Sequence, residues 1–125
     1  MSSEMSGAAP PISVLLVDDD RDIRETLGEL LVDEGFRVEA SWNGQTALAR
    51  LEEGFRPDVI VLDLMMPAMD GLTFRAQQRK NPALAQIPVV GLTAFPSPNA
   101  DFECLTKPVR FEVLVERLRR AVGRP

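Results

Sequence analysis

Apolar residues follow two rhythms along the chain. Short unbroken runs stand at 14–17, 59–62 and 89–92. Runs this short and continuous read as strands buried on both faces. Residues 37–41 alternate weakly and read as a shorter strand, and Leu105-Thr106 as a fifth. Helical spacing fills the intervals. Ile23, Leu27, Leu30 and Leu31 share one face, with Gly35 as the stop signal. After the Asn43-Gly44 turn, residues 45–53 carry Ala47, Leu48 and Leu51 on one side, and Gly54 closes the segment. Residues 64–71 read as a loop containing Pro67 and Gly71, and 72–80 as a weak helix. Phe111, Leu114, Val115, Leu118 and Val122 mark the apolar face of a closing helix.

Strands alternating with helices imply right-handed crossovers and a parallel sheet covered on both faces. Ligands of such sheets sit beyond the carboxyl ends of the strands. The residues at those ends are polar. Asp18, Asp19 and Asp20 follow the first run, Asp63 ends the third strand, Thr93 follows the fourth and Lys107 the fifth.

Carboxylates gathered so closely repel one another and lose hydration as the core closes over them. A hard divalent cation with oxygen ligands resolves the conflict, and Mg²⁺ suits a few carboxylates plus waters. With Mg²⁺, the Lys107 ammonium and the Thr93 hydroxyl nearby, an aspartate becomes a candidate nucleophile toward phosphorus. The cationic and hydroxyl groups would then hold the equatorial oxygens of a transferring phosphoryl group. Plainer roles exist for each residue. Asp20 is assigned the N-cap of the helix beginning near Arg21. Asp63 has a reading as a turn residue, Thr93 as a strand-end hydroxyl and Lys107 as a surface lysine. The side chains of Met65 and Met66 are expected to fill gaps, and the Trp42 ring to pack over local apolar surface.

The chain has 125 residues, 45% of them apolar, and a formal charge of −5, which sets the size of one domain with one core. The acidic balance speaks against a nucleic-acid surface. Arg117, Arg119 and Arg120 are expected on a solvated helix face. Cys104 is the single cysteine, so no intrachain disulfide forms and a reducing, cytoplasmic compartment is expected. No apolar run has the length of a membrane span. With no histidine, His-based catalysis, His metal ligands and a phosphohistidine-carrier role are excluded.

The segments "VLLVDDD", "VLDLMMPAMDG", "GLTA" and "LTKP", taken in order, resemble the motifs of the receiver domain of response regulators in two-component signalling. The resemblance covers about residues 12–122, between expected tails at 1–11 and 123–125. It implies a flavodoxin-like, doubly wound five-stranded parallel (βα)5 fold. It makes Asp63 the phosphoacceptor, with Asp19 holding Mg²⁺ directly and Asp18 through water. Met65 would give its backbone carbonyl to the metal. Thr93 is the switch hydroxyl, Lys107 pairs with Asp63 or its phosphate, and the Lys107-Pro108 bond is cis. The phosphoryl donor would be a histidine kinase or phosphotransfer protein, and the output contact with a downstream protein.

One interval departs from the family. Residues 93–107, "TAFPSPNADFECLTK", are shorter than usual by about two helical turns. Pro96 and Pro98 disfavour a helix interior, so the fourth helix is expected to be missing or reduced to a turn. Cys104 stands where many members carry an aromatic switch residue. Two function classes follow: a stand-alone phosphoacceptor switch with no attached output module, or a pseudo-receiver that keeps the acidic pocket without switching. A phosphatase with an aspartyl nucleophile is a weaker third, because the acid/base carboxylate it needs two residues on is Met65 here.

Overall fold

The computed structural model describes residues 10–65, 71–95 and 100–123. In chain order its elements are β1 (Ser13–Val17), α1 (Arg21–Asp33), β2 (Arg37–Ser41), α2 (Gly44–Glu52), β3 (Val59–Asp63) and α3 (Gly71–Arg79). A single-turn α4 (Pro82–Ala85), then β4 (Val89–Thr93), β5 (Glu103–Thr106) and α5 (Phe111–Ala121) complete the described fold. The five strands form one sheet in the order β2-β1-β3-β4-β5, and all four strand pairs are parallel.

The runs of β1, β3 and β4 are apolar because successive side chains point to opposite faces and both faces are covered there, whereas the edge strands β2 and β5 carry exposed polar residues. Val14, Leu16, Val59, Val61, Val90 and Leu92 meet Leu31 of α1 and Leu114, Val115 and Leu118 of α5. On the other face, Leu15, Val17, Ile60, Leu62 and Val89 meet Ala47, Leu48 and Leu51 of α2, Phe74 of α3 and Leu84 of α4. The helix ends follow local chemistry. The Asp20 side chain accepts from the Ile23 N–H at 3.1 Å, as expected of an N-cap. Gly35, at φ 103°, takes the left-handed conformation that ends α1.

Several details differ from the sequence expectation. The third helix runs one residue earlier, Gly71–Arg79, and is followed by α4. That extra turn depends on Asn81, which caps the Ala83 N–H at 3.0 Å, and on Pro82 at the first helical position. It depends also on Gln78, fully buried, whose Nε2 donates to the carbonyls of Leu84 (2.7 Å) and Ile87 (3.1 Å). A polar side chain adds nothing to an apolar periodicity, so this anchor leaves no pattern to read.

On α1 only Leu31 is fully buried, whereas Ile23 and Leu30 remain exposed and line an open apolar groove with Pro108, Val109 and Phe111. The Trp42 ring is 56% exposed and does not pack down as expected, because it leaves β2 at the rim of the sheet. The Met65 side chain is 59% exposed and fills no gap, while Met66 lies outside the described residues. Arg117 is no solvated charge: it crosses from α5 to Glu103 of β5 at 2.6 Å. Arg119 stands 5.9 Å over the Phe36 ring. In the β4–β5 crossover no helix occurs among the described residues, and Pro96 and Pro98 lie outside them.

Candidate functional site

Strand register assembles the site. Val17 pairs with Ser41 on one side and Leu62 on the other, Asp63 with Leu92, and Thr93 with Thr106. The chain segments after β1, β3, β4 and β5 therefore leave the sheet along one edge.

Asp18, Asp19 and Asp63 each bring a carboxylate oxygen within 4.8 Å of the other two. Asp18 is 1% exposed. Its Oδ1 accepts the Asp20 N–H at 2.9 Å, while its Oδ2 is buried with no hydrogen-bond partner among the described residues. Burial pushes the Asp18 carboxyl up to about 6; the Asp20 N–H opposes this, the Asp63 charge adds to it, Lys107 opposes it and Asp19 adds to it. Asp19 is exposed and Asp63 buried. Asp63 Oδ1 accepts the Met65 N–H at 3.0 Å and lies 3.4 Å from Lys107 Nζ. Three carboxylates against one ammonium leave an excess of negative charge, and the Asp18 oxygen without a hydrogen-bond partner among the described residues can serve as a ligand. This donor set fits a hard divalent ion.

Thr93 is buried, and its hydroxyl is turned to its own chain. It donates to the Phe95 carbonyl at 2.8 Å and accepts the Phe95 N–H at 3.2 Å. The Lys107 N–H donates to the Thr93 carbonyl at 2.7 Å, and the Lys107-Pro108 bond is cis, as the resemblance implies. Cys104 faces Phe102 and Gly91 on the α3 side of the sheet and takes no part in the pocket.

Two contributors escaped the sequence reading. Arg24 Nη1 donates to the Asp18 carbonyl at 2.8 Å, tying the first turn of α1 to the acidic loop. Phe95 engages Thr93 through backbone atoms that every residue type carries. Arg24 did leave a faint signal, a cation on the first turns of a helix that starts among aspartates.

The sequence profile of the response regulator receiver domain matches residues 14–119. Response regulator MprA of Mycolicibacterium vanbaalenii is 37% identical over 91% of this chain and 52% of its own length. A transcriptional regulatory protein, CpxR homolog, of Haemophilus influenzae is 36% identical over 89% of the chain and 50% of its own. The chain thus spans about half the length of these curated relatives. Among solved structures, chemotaxis protein CheY4 of Vibrio cholerae superposes with a TM-score of 0.80 at 32% identity, covering 89% of this chain and 98% of that one. The receiver domain of sensor histidine kinase PA1611 from Pseudomonas aeruginosa has a TM-score of 0.82 at 26% identity over 90% and 98% of the two chains. That structure holds a magnesium ion in its active-site cleft. By its sequence motifs, its five-stranded parallel sheet and these likenesses, the chain belongs to the response regulator receiver domain family of two-component signalling.

Proposed function

We propose that this receiver domain accepts a phosphoryl group on Asp63 from a histidine kinase or phosphotransfer protein and signals through protein contact. One observation carries the reading: the Asp63 carboxylate lies within reach of both the Asp18/Asp19 pair and the Lys107 ammonium, so a metal ion and the ammonium can both act on it. In the transfer, a phosphohistidine P–N bond breaks and a P–O bond to Asp63 forms, and the donor nitrogen keeps the electron pair. Asp18, Asp19, Asp63 and the Met65 carbonyl would hold Mg²⁺. Bound there, the ion supplies positive charge to the phosphoryl oxygens. Lys107 balances the charge of the acyl phosphate, and Thr93 donates its hydroxyl to it. The domain is proposed to catalyse only its own phosphorylation and dephosphorylation.

The site suits cytoplasmic phosphoryl donors, and no helix among the described residues is long and apolar enough to cross a membrane. The relatives' extra length lends no support to the expectation of a lone module, nor to the expectation that nucleic acid is absent from the output.

Incubation with acetyl phosphate and Mg²⁺, followed by intact mass, tests the proposal. One added phosphoryl group is expected, abolished by EDTA and by Asp63→Asn. Equal labelling of Asp63→Asn would overturn it. The pseudo-receiver reading draws on one observation, the engagement of the Thr93 hydroxyl by Phe95. It predicts no change in hydrogen exchange at 93–95 when beryllofluoride and Mg²⁺ are added.

A further inference from the structure

One peptide unit joins Asp18 to Asp19, and its carbonyl accepts Arg24 Nη1 at 2.8 Å. The rest of Asp18 is held as well. Its N–H donates to the Ser41 carbonyl of β2 at 3.1 Å, and its Oδ1 accepts the Asp20 N–H at 2.9 Å. Asp19 differs. Its side chain is exposed, and among the described residues no hydrogen bond or ion pair holds its carboxylate. The main chain alone places it beside Asp18 and Asp63. A peptide unit is planar, so a donor that fixes its oxygen also fixes where the next Cα lies.

That donor is itself anchored. The Arg24 N–H donates to the Asp20 carbonyl at 2.9 Å, and the Asp20 side chain caps the same helix. The acidic loop thus caps α1, and α1 in return holds the acidic loop.

Two roles for Arg24 predict opposite signs. A cation near three carboxylates repels an incoming metal ion, so its loss would raise Mg²⁺ affinity. A donor that holds the joining peptide unit preorganises the carboxylate pair, so its loss would lower that affinity. The geometry favours the second role. Arg24 is half-buried, donates to main chain and enters no ion pair among the described residues.

We propose that Arg24 is a positioning residue: its bond to the Asp18 carbonyl holds Asp18 and Asp19 in one arrangement and so strengthens Mg²⁺ binding. The inference rests on the function proposed above and adds a residue outside the metal's own donors. Coupling is reciprocal, so the bond also stabilises the folded chain more in Mg²⁺ than in EDTA.

The test is a Mg²⁺ titration by isothermal calorimetry on wild type, Arg24→Met and Arg24→Lys. Labelling by acetyl phosphate is read by intact mass over the same Mg²⁺ range. Arg24→Met suits a helix but removes the donor and the charge. Its Kd for Mg²⁺ is expected to rise about fivefold, the scale of one hydrogen bond. The Mg²⁺ midpoint of labelling is expected to shift with it while the plateau holds, a split that general loss of structure would not give. Arg24→Lys keeps a cationic donor and is expected to recover most of the affinity. Arg24→Gln carries the same expectation as Arg24→Met should the latter fail to fold. Equal or tighter Mg²⁺ binding without the arginine would overturn the positioning role. So would a lysine variant as weak as the methionine one, or a plateau that falls with no shift in midpoint. A wild type that binds Mg²⁺ but takes no label would overturn the proposed function and leave the positioning role to the calorimetry. A wild type that binds no Mg²⁺ would overturn both.

Discussion

Lys107 Nζ and Asp63 Oδ1 lie 3.4 Å apart, and that oxygen also accepts the Met65 N–H. The ammonium and a metal ion would therefore compete for one carboxylate. Replacing Lys107 by Met removes the competitor. Mg²⁺ affinity is expected to rise roughly fivefold, the scale of a charge interaction near a protein surface, while labelling by acetyl phosphate falls. Calorimetric Mg²⁺ titration and intact mass read the two effects, and weaker Mg²⁺ binding would show that Lys107 shapes the site rather than opposing the cation.

Asp18 sets a pH dependence in metal-free protein. Its folded value of about 6 lies above the ordinary 3.8, so the native state holds the proton more tightly than the unfolded chain does. The cost of burying the charge is present in full above about pH 6 and falls away as pH drops toward 4. Asp18→Asn keeps an acceptor for the Asp20 N–H and removes the charge. In EDTA near pH 7 the variant is expected to be more stable than wild type by on the order of 3 kcal/mol, with the gap closing near pH 4. Urea melts at several pH values check it, and a gap that ignores pH would place the cost elsewhere.

Gln78 is fully buried with both ends of its amide engaged. Gln78→Leu keeps the bulk but strands the Ile87 carbonyl, while the Leu84 carbonyl still accepts the Ile87 N–H. A loss of about 1–3 kcal/mol is expected, the cost of one buried orphan. Denaturant unfolding measures it, and exchange at α4 is expected to rise first.

Two glycines make room for the residue after Asp63. A Cβ on Gly71 would stand 2.2 Å from Leu64 Cδ2 and 2.9 Å from the Leu64 Cα, whereas one on Gly91 meets mainly the outer edge of the Phe102 ring. Gly71→Ala is therefore expected to destabilise more than Gly91→Ala, because backbone yields less readily than a ring edge. Overpacking of this kind costs about 1–3 kcal/mol. Phe102→Ala is expected to relieve Gly91→Ala and leave Gly71→Ala unimproved, a non-additivity that thermal melts of the double variants detect.

The sheet was legible because residues 14–17, 59–62 and 89–92 are apolar throughout, and a strand covered on both faces has no other composition. The pocket was legible because Asp18, Asp19, Asp63 and Lys107 stand where those runs stop, and topology alone then brings them together. What stayed hidden acts through other means. Phe95 meets Thr93 by main-chain atoms, and α4 hangs on one buried amide. The exposure of Trp42 and Met65 was misjudged because both follow strand ends, where a side chain has left the covered faces. Arg117 looked like surface charge because its partner, Glu103, sits on another element, out of reach of any local pattern.

No two neighbouring strands of this sheet are joined by a hairpin, and its central pair, β1 and β3, is separated in the chain by β2 and two helices. A nascent chain that has shown Asp18, Asp19 and Asp63 to solvent therefore holds three ordinary acidic side chains. Lys107, the last piece of the pocket in chain order, emerges only after β5. The phosphoryl chemistry proposed for Asp63 thus has to wait for β5, because a chain stopped at β3 holds the acidic side chains without the ammonium that balances them.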